Sequence, residues 1–188
     1  MADASPLPHV TLVLGGARSG KSTWAEKLID GTLAGNAPRP ALLIATADLA
    51  DSARYGDDEM VARIAAHRQR RGPHWQTIEE PVDLAGVLRR HGAGGPPILV
   101  DCLTLWLSNL LLRGCDIAAA SDALVTVLME ARVGIALVAN EVGLGIVPDN
   151  VLSRRFRDEA GRLNMRLARH AGRVVFLVAG LPMTLKGA

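Results

Sequence analysis

One stretch near the start of the chain, VTLVLGGARSGKSTWAE (residues 10–26), restricts the fold more than any other segment. An apolar run leads into a glycine-rich turn, and a pattern typical of a helix follows. The turn, GGARSGKS (residues 15–22), fits G-x-x-x-x-G-K-[ST] in full. A strand, this turn and a helix in that order form a phosphate-binding loop (P-loop), because backbone N–H groups and the helix N-terminus face the same anion.

Individual residues of the P-loop have distinct expected roles. Its glycines let the backbone turn inward, the Lys21 ammonium reaches the β- and γ-phosphates, and the Ser22 hydroxyl binds Mg²⁺. An acid at the end of a neighbouring strand usually organises that metal, directly or through water, and Asp101 at the end of PILVD is the candidate. The alternative role for Asp101, capping the next helix, is compatible with metal binding. Asp58 and Glu59 are weaker candidates, because a helix dipole by itself accounts for acids in a first turn.

Five apolar runs alternate with helical patterns along the chain. Continuous Val, Ile, Leu and Ala are typical of strands buried on both faces of a parallel sheet. The runs cover residues 10–14, 41–45, 98–100, 135–139 and 174–178. The helical patterns cover residues 22–29, 57–71, 103–112 and 151–171, with Gly172 expected as the last C-cap. This alternation predicts an α/β fold with a mostly parallel sheet flanked by helices, as one P-loop domain over residues 10–188 after a short extension of residues 1–9.

Composition and charge argue against several other classes of protein. The chain has 188 residues, of which 49% are hydrophobic and 21% are charged, as in a globular domain. Its formal net charge of +2 is too small to predict a nucleic-acid partner or an anionic membrane surface. No segment predicts a signal peptide or a membrane span. Cys102 and Cys115 fit no metal or redox spacing, so a reducing cytoplasm is expected.

A histidine among arginines marks a second informative stretch, DDEMVARIAAHRQRRGPHWQTIEEP (residues 57–81). On a helix His67 extends an apolar stripe, and one interpretation is a partly buried core histidine beside a solvated basic face. The other interpretation is a nucleophile. Nearby positive charge lowers the pKa of an imidazole and keeps it neutral, so it can attack phosphorus while guanidinium groups hold the phosphates. His74 is the competing histidine, but it falls beyond the helix and is expected to pack with Trp75.

A third stretch, LVANEVGLGIVPDN (residues 137–150), places Asn140 and Glu141 at the end of a predicted strand. Polar groups at the carboxyl ends of parallel strands face the ligand crevice. The alternative is an ordinary strand-to-helix connection capped by Asp149. The residues themselves leave both interpretations open.

Together these stretches resemble the bifunctional adenosylcobinamide kinase and adenosylcobinamide-phosphate guanylyltransferase family of cobalamin biosynthesis. The resemblance extends from about residue 10 to residue 186. It is specific because the P-loop is followed, in family order, by an R-I-x-x-H helix and by NEVG-x-GIVP. The resembling segments are GGARSGKSTWAE, IATA, DDEMVARIAAHRQRRGPHWQTIEEP, VDCLTLWLSNLL, NEVGLGIVPDN, FRDEAGRLNMRLA and AGLPMTLK.

The resemblance implies two reactions. In the first, ATP or GTP phosphorylates the aminopropanol hydroxyl of adenosylcobinamide. In the second, GTP supplies GMP to that phosphate through a guanylyl-histidine at His67, giving adenosylcobinamide-GDP and pyrophosphate. The resemblance also implies a RecA-like P-loop domain that assembles as a homo-oligomer, namely a trimer.

The family's nucleotide contacts fall on the P-loop, on the end of the second predicted strand, on the arginine run and on two acids. By the resemblance, His67 is catalytic, while the P-loop motif makes Lys21 catalytic and assigns Mg²⁺ to Ser22 and Asp101. The nucleotide contacts are Gly15, Gly16, Ala17, Arg18, Ser19, Gly20, Lys21, Ser22, Ala45, Thr46, Ala47, Arg68, Gln69, Arg70, Arg71, Glu79 and Asp101.

Two other functions compete with this interpretation. Another small-molecule kinase with the same loop would transfer only the γ-phosphoryl group and would need no nucleophilic histidine. A RecA-like ATPase or nucleotide-gated binding module would act on a macromolecule. The small size and the near-neutral charge of the chain disfavour the second of these.

Overall fold

The structure is a computed structural model that describes residues 7–48 and 71–187. In chain order its elements are β1 (Leu7–Gly15), α1 (Lys21–Ile29), a 3-10 turn (Thr32–Ala34), β2 (Ala41–Ala45), β3 (Trp75–Glu79), α2 (Leu84–His91), β4 (Ile98–Asp101), α3 (Leu103–Leu112), α4 (Ile117–Glu130), β5 (Ile135–Asn140), α5 (Val151–His170), β6 (Ala171–Val178) and β7 (Leu181–Lys186). The strands form one sheet in the order β3-β2-β4-β5-β1-β6-β7. Each pairing of neighbouring strands is parallel except that of β6 with β7. The predicted α/β class with a mostly parallel sheet is confirmed, and one strand, β5, separates the P-loop strand from the strand that ends in Asp101.

Apolar side chains fill both faces of the sheet. On one face, Val13 of β1 belongs to a cluster that α1 covers with Trp24. On the other face, Leu12 belongs to a larger cluster that contains Trp106 of α3 and Leu124 of α4. Successive strand residues point to opposite faces, so neighbouring apolar residues serve different clusters. The continuous apolar runs of the sequence follow from this two-sided burial.

The five apolar runs predicted as strands are confirmed as β1, β2, β4, β5 and β6. The strands β1 and β6 start three residues earlier than predicted, because Leu7 of β1 pairs with Ala171 of β6 beyond an irregularity in their ladder. The predicted helices at residues 22–29, 103–112 and 151–171 correspond to α1, α3 and α5. The helix predicted over residues 57–71 lies outside the described residues except for Arg71. Among the helices of the described ranges, none is long and apolar enough to cross a membrane.

The predicted C-cap of α5 is wrong, and its N-cap differs from the one in the alternative interpretation of residues 137–150. The helix α5 ends at His170, and Gly172 lies within β6 instead of capping the helix. The C-cap is Ala171, whose backbone turns directly into the strand because this residue already pairs with β1. At the other end, Asn150 takes the place expected for Asp149. The Asn150 side-chain oxygen accepts the Ser153 N–H at 2.8 Å.

The sequence patterns do not predict β3, β7, α2 or α4. Both missed strands lie at the edges of the sheet, where side chains are exposed and the continuous apolar signal is lost. A two-residue turn, Ala179-Gly180, joins β6 to β7, with φ of 51° and 82°. Positive φ at both central residues is typical of a type I′ hairpin. Pro182 is tolerated in β7 because edge strands accept proline.

Candidate nucleotide-binding site

The P-loop backbone requires glycine at two positions. Gly15 ends β1 at φ +151°, and a Cβ there would lie 2.5 Å from the carbonyl oxygen of Leu177 in β6. Gly20 is the N-cap residue of α1 at φ +94°, and a Cβ there would lie 3.4 Å from Gly180 Cα. With these glycines the loop ends at the N-terminus of α1, where free N–H groups and the positive end of the helix dipole favour an anion.

The Lys21 side chain is buried against this loop, with 6% of its surface exposed. Its Nζ donates hydrogen bonds to the Gly16 carbonyl oxygen and, at 3.4 Å, to Ser19 Oγ. The β6–β7 hairpin supports the loop from outside, because the Gly180 N–H donates to the Ser19 carbonyl oxygen at 3.0 Å. Lys21 therefore lies where an ammonium can reach phosphates held by the loop.

A cavity of about 210 Å³ lies between the P-loop and the carboxyl ends of β4 and β5. It is lined by Arg18, Ser19, Gly20, Lys21, Ser22, Thr23, Asp101, Cys102, Val138 and Asn140. The cavity thus brings Asp101 to the P-loop, as the sequence predicts. Asp101 does not cap the next helix, because the N-cap residue of α3 is Cys102, whose side chain forms no capping hydrogen bond.

The donors of this cavity fit Mg²⁺. The Ser22 hydroxyl and the Asp101 carboxylate line the same space, and Mg²⁺ prefers hard oxygen ligands. Within residues 7–48 and 71–187, no group of three or more His, Cys, Asp or Glu side chains could hold a metal. Mg²⁺ at such a site takes its remaining ligands from phosphate and water.

The end of β2 lies beside Asp101, which pairs with Ala45 in the β2–β4 register. Thr46 is fully buried, and its hydroxyl both donates a hydrogen bond to the Cys102 backbone and accepts one from it. Its Oγ1 donates to the Cys102 carbonyl oxygen at 2.6 Å and accepts the Cys102 N–H at 2.9 Å. The Thr46 hydroxyl therefore fixes the peptide that follows Asp101. The nucleotide contacts predicted for Ala45, Thr46 and Ala47 stay predictions.

Cys102 is an unreactive thiol beside Asp101. Its side chain is buried, and this burial, together with the Asp101 carboxylate, raises the pKa of the Cys102 thiol to about 11. A thiol with so high a pKa is protonated at neutral pH and is a poor nucleophile. Cys102 therefore contributes packing to the cavity wall, and both it and Cys115 are free of disulfide bonds.

A second cavity, of about 420 Å³, lies along one face of β3. Trp75, Thr77 and Glu79 line it from alternate strand positions, together with Arg71 and Gly72. Three strands separate β3 from β1, which corresponds to about 19 Å at the usual strand spacing. The predicted nucleotide contacts are therefore divided between two places, because Glu79 lines this cavity and the P-loop lines the other.

Arg71 is anchored to the P-loop helix. Its Nε donates to Glu26 Oε1 at 2.8 Å, and only 9% and 8% of the two side chains are exposed. The nucleotide contact predicted for Arg71 stays a prediction. The neighbouring predicted residues lie outside the described ranges, and they are His67, Arg68, Gln69 and Arg70.

Sequence reasoning missed several lining residues. Thr23 and Val138 carry no motif of their own, but the alternation in WQTIE could have indicated both β3 and the face on which Trp75 lies. Asn140 lines the P-loop cavity, which favours the ligand-facing interpretation of that residue. His74 packs against Trp75 with ring centroids 6.1 Å apart, as expected of a structural histidine.

The chain matches known proteins over most of its length. Residues 11–185 match the model of a family described as cobinamide kinase / cobinamide phosphate guanyltransferase. The bifunctional adenosylcobalamin biosynthesis protein CobP of Pseudomonas aeruginosa is 51% identical over 180 residues, which cover 94% of this chain and 96% of that protein. The bifunctional adenosylcobalamin biosynthesis protein CobU of Salmonella typhimurium is 40% identical over 190 residues, which cover 93% and 98%. Among solved structures, the flagellar accessory protein FlaH of Methanocaldococcus jannaschii aligns with a TM-score of 0.45 and 12% identity, covering 95% of this chain and 78% of that chain.

Proposed function

The chain belongs to the cobinamide kinase / cobinamide phosphate guanyltransferase family, and we propose that it catalyses both reactions. The first passes the γ-phosphoryl group of ATP or GTP to the aminopropanol hydroxyl of adenosylcobinamide. The second joins GMP from GTP to the new phosphate, giving adenosylcobinamide-GDP and pyrophosphate. The observation that carries the proposal is the cavity in which the P-loop and Asp101 meet at the carboxyl edge of the sheet.

In the kinase step the P-loop holds the triphosphate. Backbone N–H groups of residues 15–22 and the N-terminus of α1 bind the phosphate oxygens, and Lys21 stabilises the charge on the group in transfer. Ser22 and Asp101 would hold Mg²⁺, directly or through water, and the bound ion would neutralise further phosphate charge. Thr46 is a positioning residue for Asp101, because its hydroxyl hydrogen-bonds the backbone of Cys102, the next residue along the chain.

In the transferase step His67 is the nucleophile, a role that rests on the family resemblance. Its imidazole forms a bond to the α-phosphorus of GTP, the bond to pyrophosphate breaks, and the substrate phosphate then displaces GMP from the histidine. Arg68, Gln69 and Arg70 hold the nucleotide phosphates. The ion pair between Arg71 and Glu26 supports this arrangement, because it fastens the residue four positions after the nucleophile to the P-loop helix.

The second cavity suits a guanine base. The Glu79 carboxylate offers acceptor oxygens to the donor groups on the Watson–Crick edge of guanine. Trp75, on the same strand face, offers an aromatic surface for stacking. Glu79 is therefore the residue that distinguishes guanine from adenine in the transferase step, since adenine presents a different donor pattern.

Labelling with α-³²P-GTP and Mg²⁺, followed by denaturation and gel electrophoresis, tests the transferase assignment. We expect label that stays on the protein, is acid-labile and base-stable, and is absent from His67→Ala. His91→Ala, at the end of α2, is the matched control and should keep the label. Wild-type protein that retains no α-label but still transfers γ-phosphate would be a kinase alone. Loss of only the kinase activity in His67→Ala would contradict the role given to that residue.

We also propose a homo-oligomer, a trimer by the family resemblance, that works in the cytoplasm without a nucleic-acid or membrane partner. Exposed apolar side chains support an assembly, because contiguous patches of them mark interaction surfaces. Leu144, Ile146 and Val147, in the loop before α5, are 84%, 97% and 61% exposed. Light scattering after size-exclusion chromatography should give three times the chain mass, and a monomer mass would contradict the proposal.

A further inference from the structure

Asn140 ends β5, the strand between the one that carries the P-loop and the one that carries Asp101. In the sheet it pairs with Gly15, while Val138 pairs with Asp101. Residues two apart on a strand share a face, and both Val138 and Asn140 line the P-loop cavity. Asn140 therefore lies between the P-loop and Asp101.

The backbone around Asn140 is fixed on both sides. Its N–H donates to Thr104 Oγ1 at 2.7 Å, and the N–H of Glu141 donates to the Gly15 carbonyl oxygen at 3.0 Å. In the part of the chain that the structure describes, the Asn140 carboxamide forms no hydrogen bond. A partly buried carboxamide on a fixed backbone can offer its Nδ2 hydrogens to an anion at no cost in broken protein contacts.

We propose that Asn140 Nδ2 donates a hydrogen bond to the phosphoryl group in transfer during the kinase step, an assignment that rests on the kinase activity proposed above. In this step the acceptor hydroxyl oxygen forms a bond to the γ-phosphorus, and the bond from that phosphorus to the β,γ-bridging oxygen breaks. The nucleoside diphosphate leaves with the electron pair, and the hydroxyl proton passes to water. Asn140 gains and loses no proton, and it stabilises the charge on the equatorial phosphoryl oxygens.

The two reactions separate this role from a general role in nucleotide binding. The transferase step breaks a bond at the α-phosphorus, so it does not need a donor at the γ-phosphoryl group. A variant at position 140 should therefore lose kinase turnover while it still forms the guanylyl-protein. A residue that only supports the fold would affect both reactions together.

Asn140→Ala and Asn140→Asp test the proposal in two assays, γ-³²P transfer from ATP to adenosylcobinamide and retention of α-³²P from GTP on the protein. For Asn140→Ala we expect kcat of the kinase to fall by about 10²–10³-fold, as for loss of one preorganised donor, with the nucleotide KM and the α-label nearly unchanged. Asn140→Asp keeps the shape but places a carboxylate beside the phosphates, so its kinase rate should be lower still. Asn36→Ala, in an exposed loop, is the matched control and should behave as wild type.

Two results would overturn the assignment. A kinase rate in Asn140→Asp above that of Asn140→Ala would show that position 140 needs only the shape of the side chain. Equal losses of kinase rate and α-label would show a role in the fold or in nucleotide binding. Absence of both activities from the wild-type protein would overturn the proposed function itself, and that outcome is distinct because it precedes any substitution.

Discussion

The buried ion pair between Glu26 and Arg71 gives a quantitative prediction about stability. Removing one partner of a buried pair leaves the other charge without compensation and costs about 3–5 kcal/mol. Glu26→Leu removes the carboxylate, keeps most of the side-chain volume and leaves the buried Arg71 guanidinium without its ion-pair partner. For a chain of this size each kcal/mol lowers Tm by roughly 2–4 °C, so the predicted loss in Tm is roughly 6–20 °C. Urea unfolding followed by tryptophan fluorescence, at one fixed protein concentration, measures the free energy directly.

The double variant Glu26→Leu/Arg71→Met tests the physical reasoning behind this magnitude. Replacing both charges by apolar side chains of similar size should restore most of the stability, because neither charge of the Glu26–Arg71 pair remains buried. The control is Arg162→Met, which removes a more exposed ion pair with Glu159 on α5 and should cost less than about 1 kcal/mol. A Glu26→Leu variant no less stable than Arg162→Met would refute the view that the Glu26–Arg71 pair is buried and coupled.

Three further predictions concern the loop, a helix cap and a thiol. Gly15→Ala should lower the free energy of unfolding by at least about 1–3 kcal/mol and abolish nucleotide binding in calorimetry, because its Cβ meets the Leu177 backbone. Gly16→Ala, whose Cβ meets nothing within 4 Å, should fold as wild type. In urea unfolding, Asn150→Ala should lower the free energy of unfolding by about 1 kcal/mol, while Asp149→Ala should change it by less than about 0.5 kcal/mol. A larger loss in Asp149→Ala than in Asn150→Ala would contradict the observed cap. In native protein at pH 8 a thiol reagent should modify Cys115 before Cys102. The pKa of Cys102 is about 11 in the fold and about 8.5 when unfolded, so the unfolded state releases its proton first as the pH rises. The free energy of unfolding should therefore fall as the pH rises between these two values, and Cys102→Ser should flatten that fall.

The sequence predicts those parts of the site that depend on neighbouring residues. The P-loop is a local motif, and its Gly15, Gly20 and Lys21 lie where the motif requires them. Asp101 is predictable because a strand that ends in an acid is visible in one short segment. The central strands are predictable for the same reason, since burial on both faces leaves an uninterrupted apolar run.

Features that depend on the order of strands in the sheet cannot be predicted from a single segment of the sequence. Asn140 has two possible roles in the sequence, and only the position of β5 between β1 and β4 decides between them. The Glu26–Arg71 pair joins residues 45 positions apart, and either residue by itself is typical of a helix surface. The edge strand β3 alternates polar and apolar residues, so Glu79 could be placed in a cavity only after its partner strand was known.

The hydrogen bond from the Gly180 N–H to the Ser19 carbonyl oxygen also makes the β6–β7 turn a spectroscopic reporter on the P-loop. Amide protons shift in resonance and change their rate of exchange with solvent when their acceptor moves. The amide signal of Gly180 would therefore record each change at Ser19, although the two residues are distant in sequence. In a nitrogen-15 spectrum, titration with ATP or GTP would move this signal together with those of the P-loop, and the hairpin would report occupancy of the site from outside it.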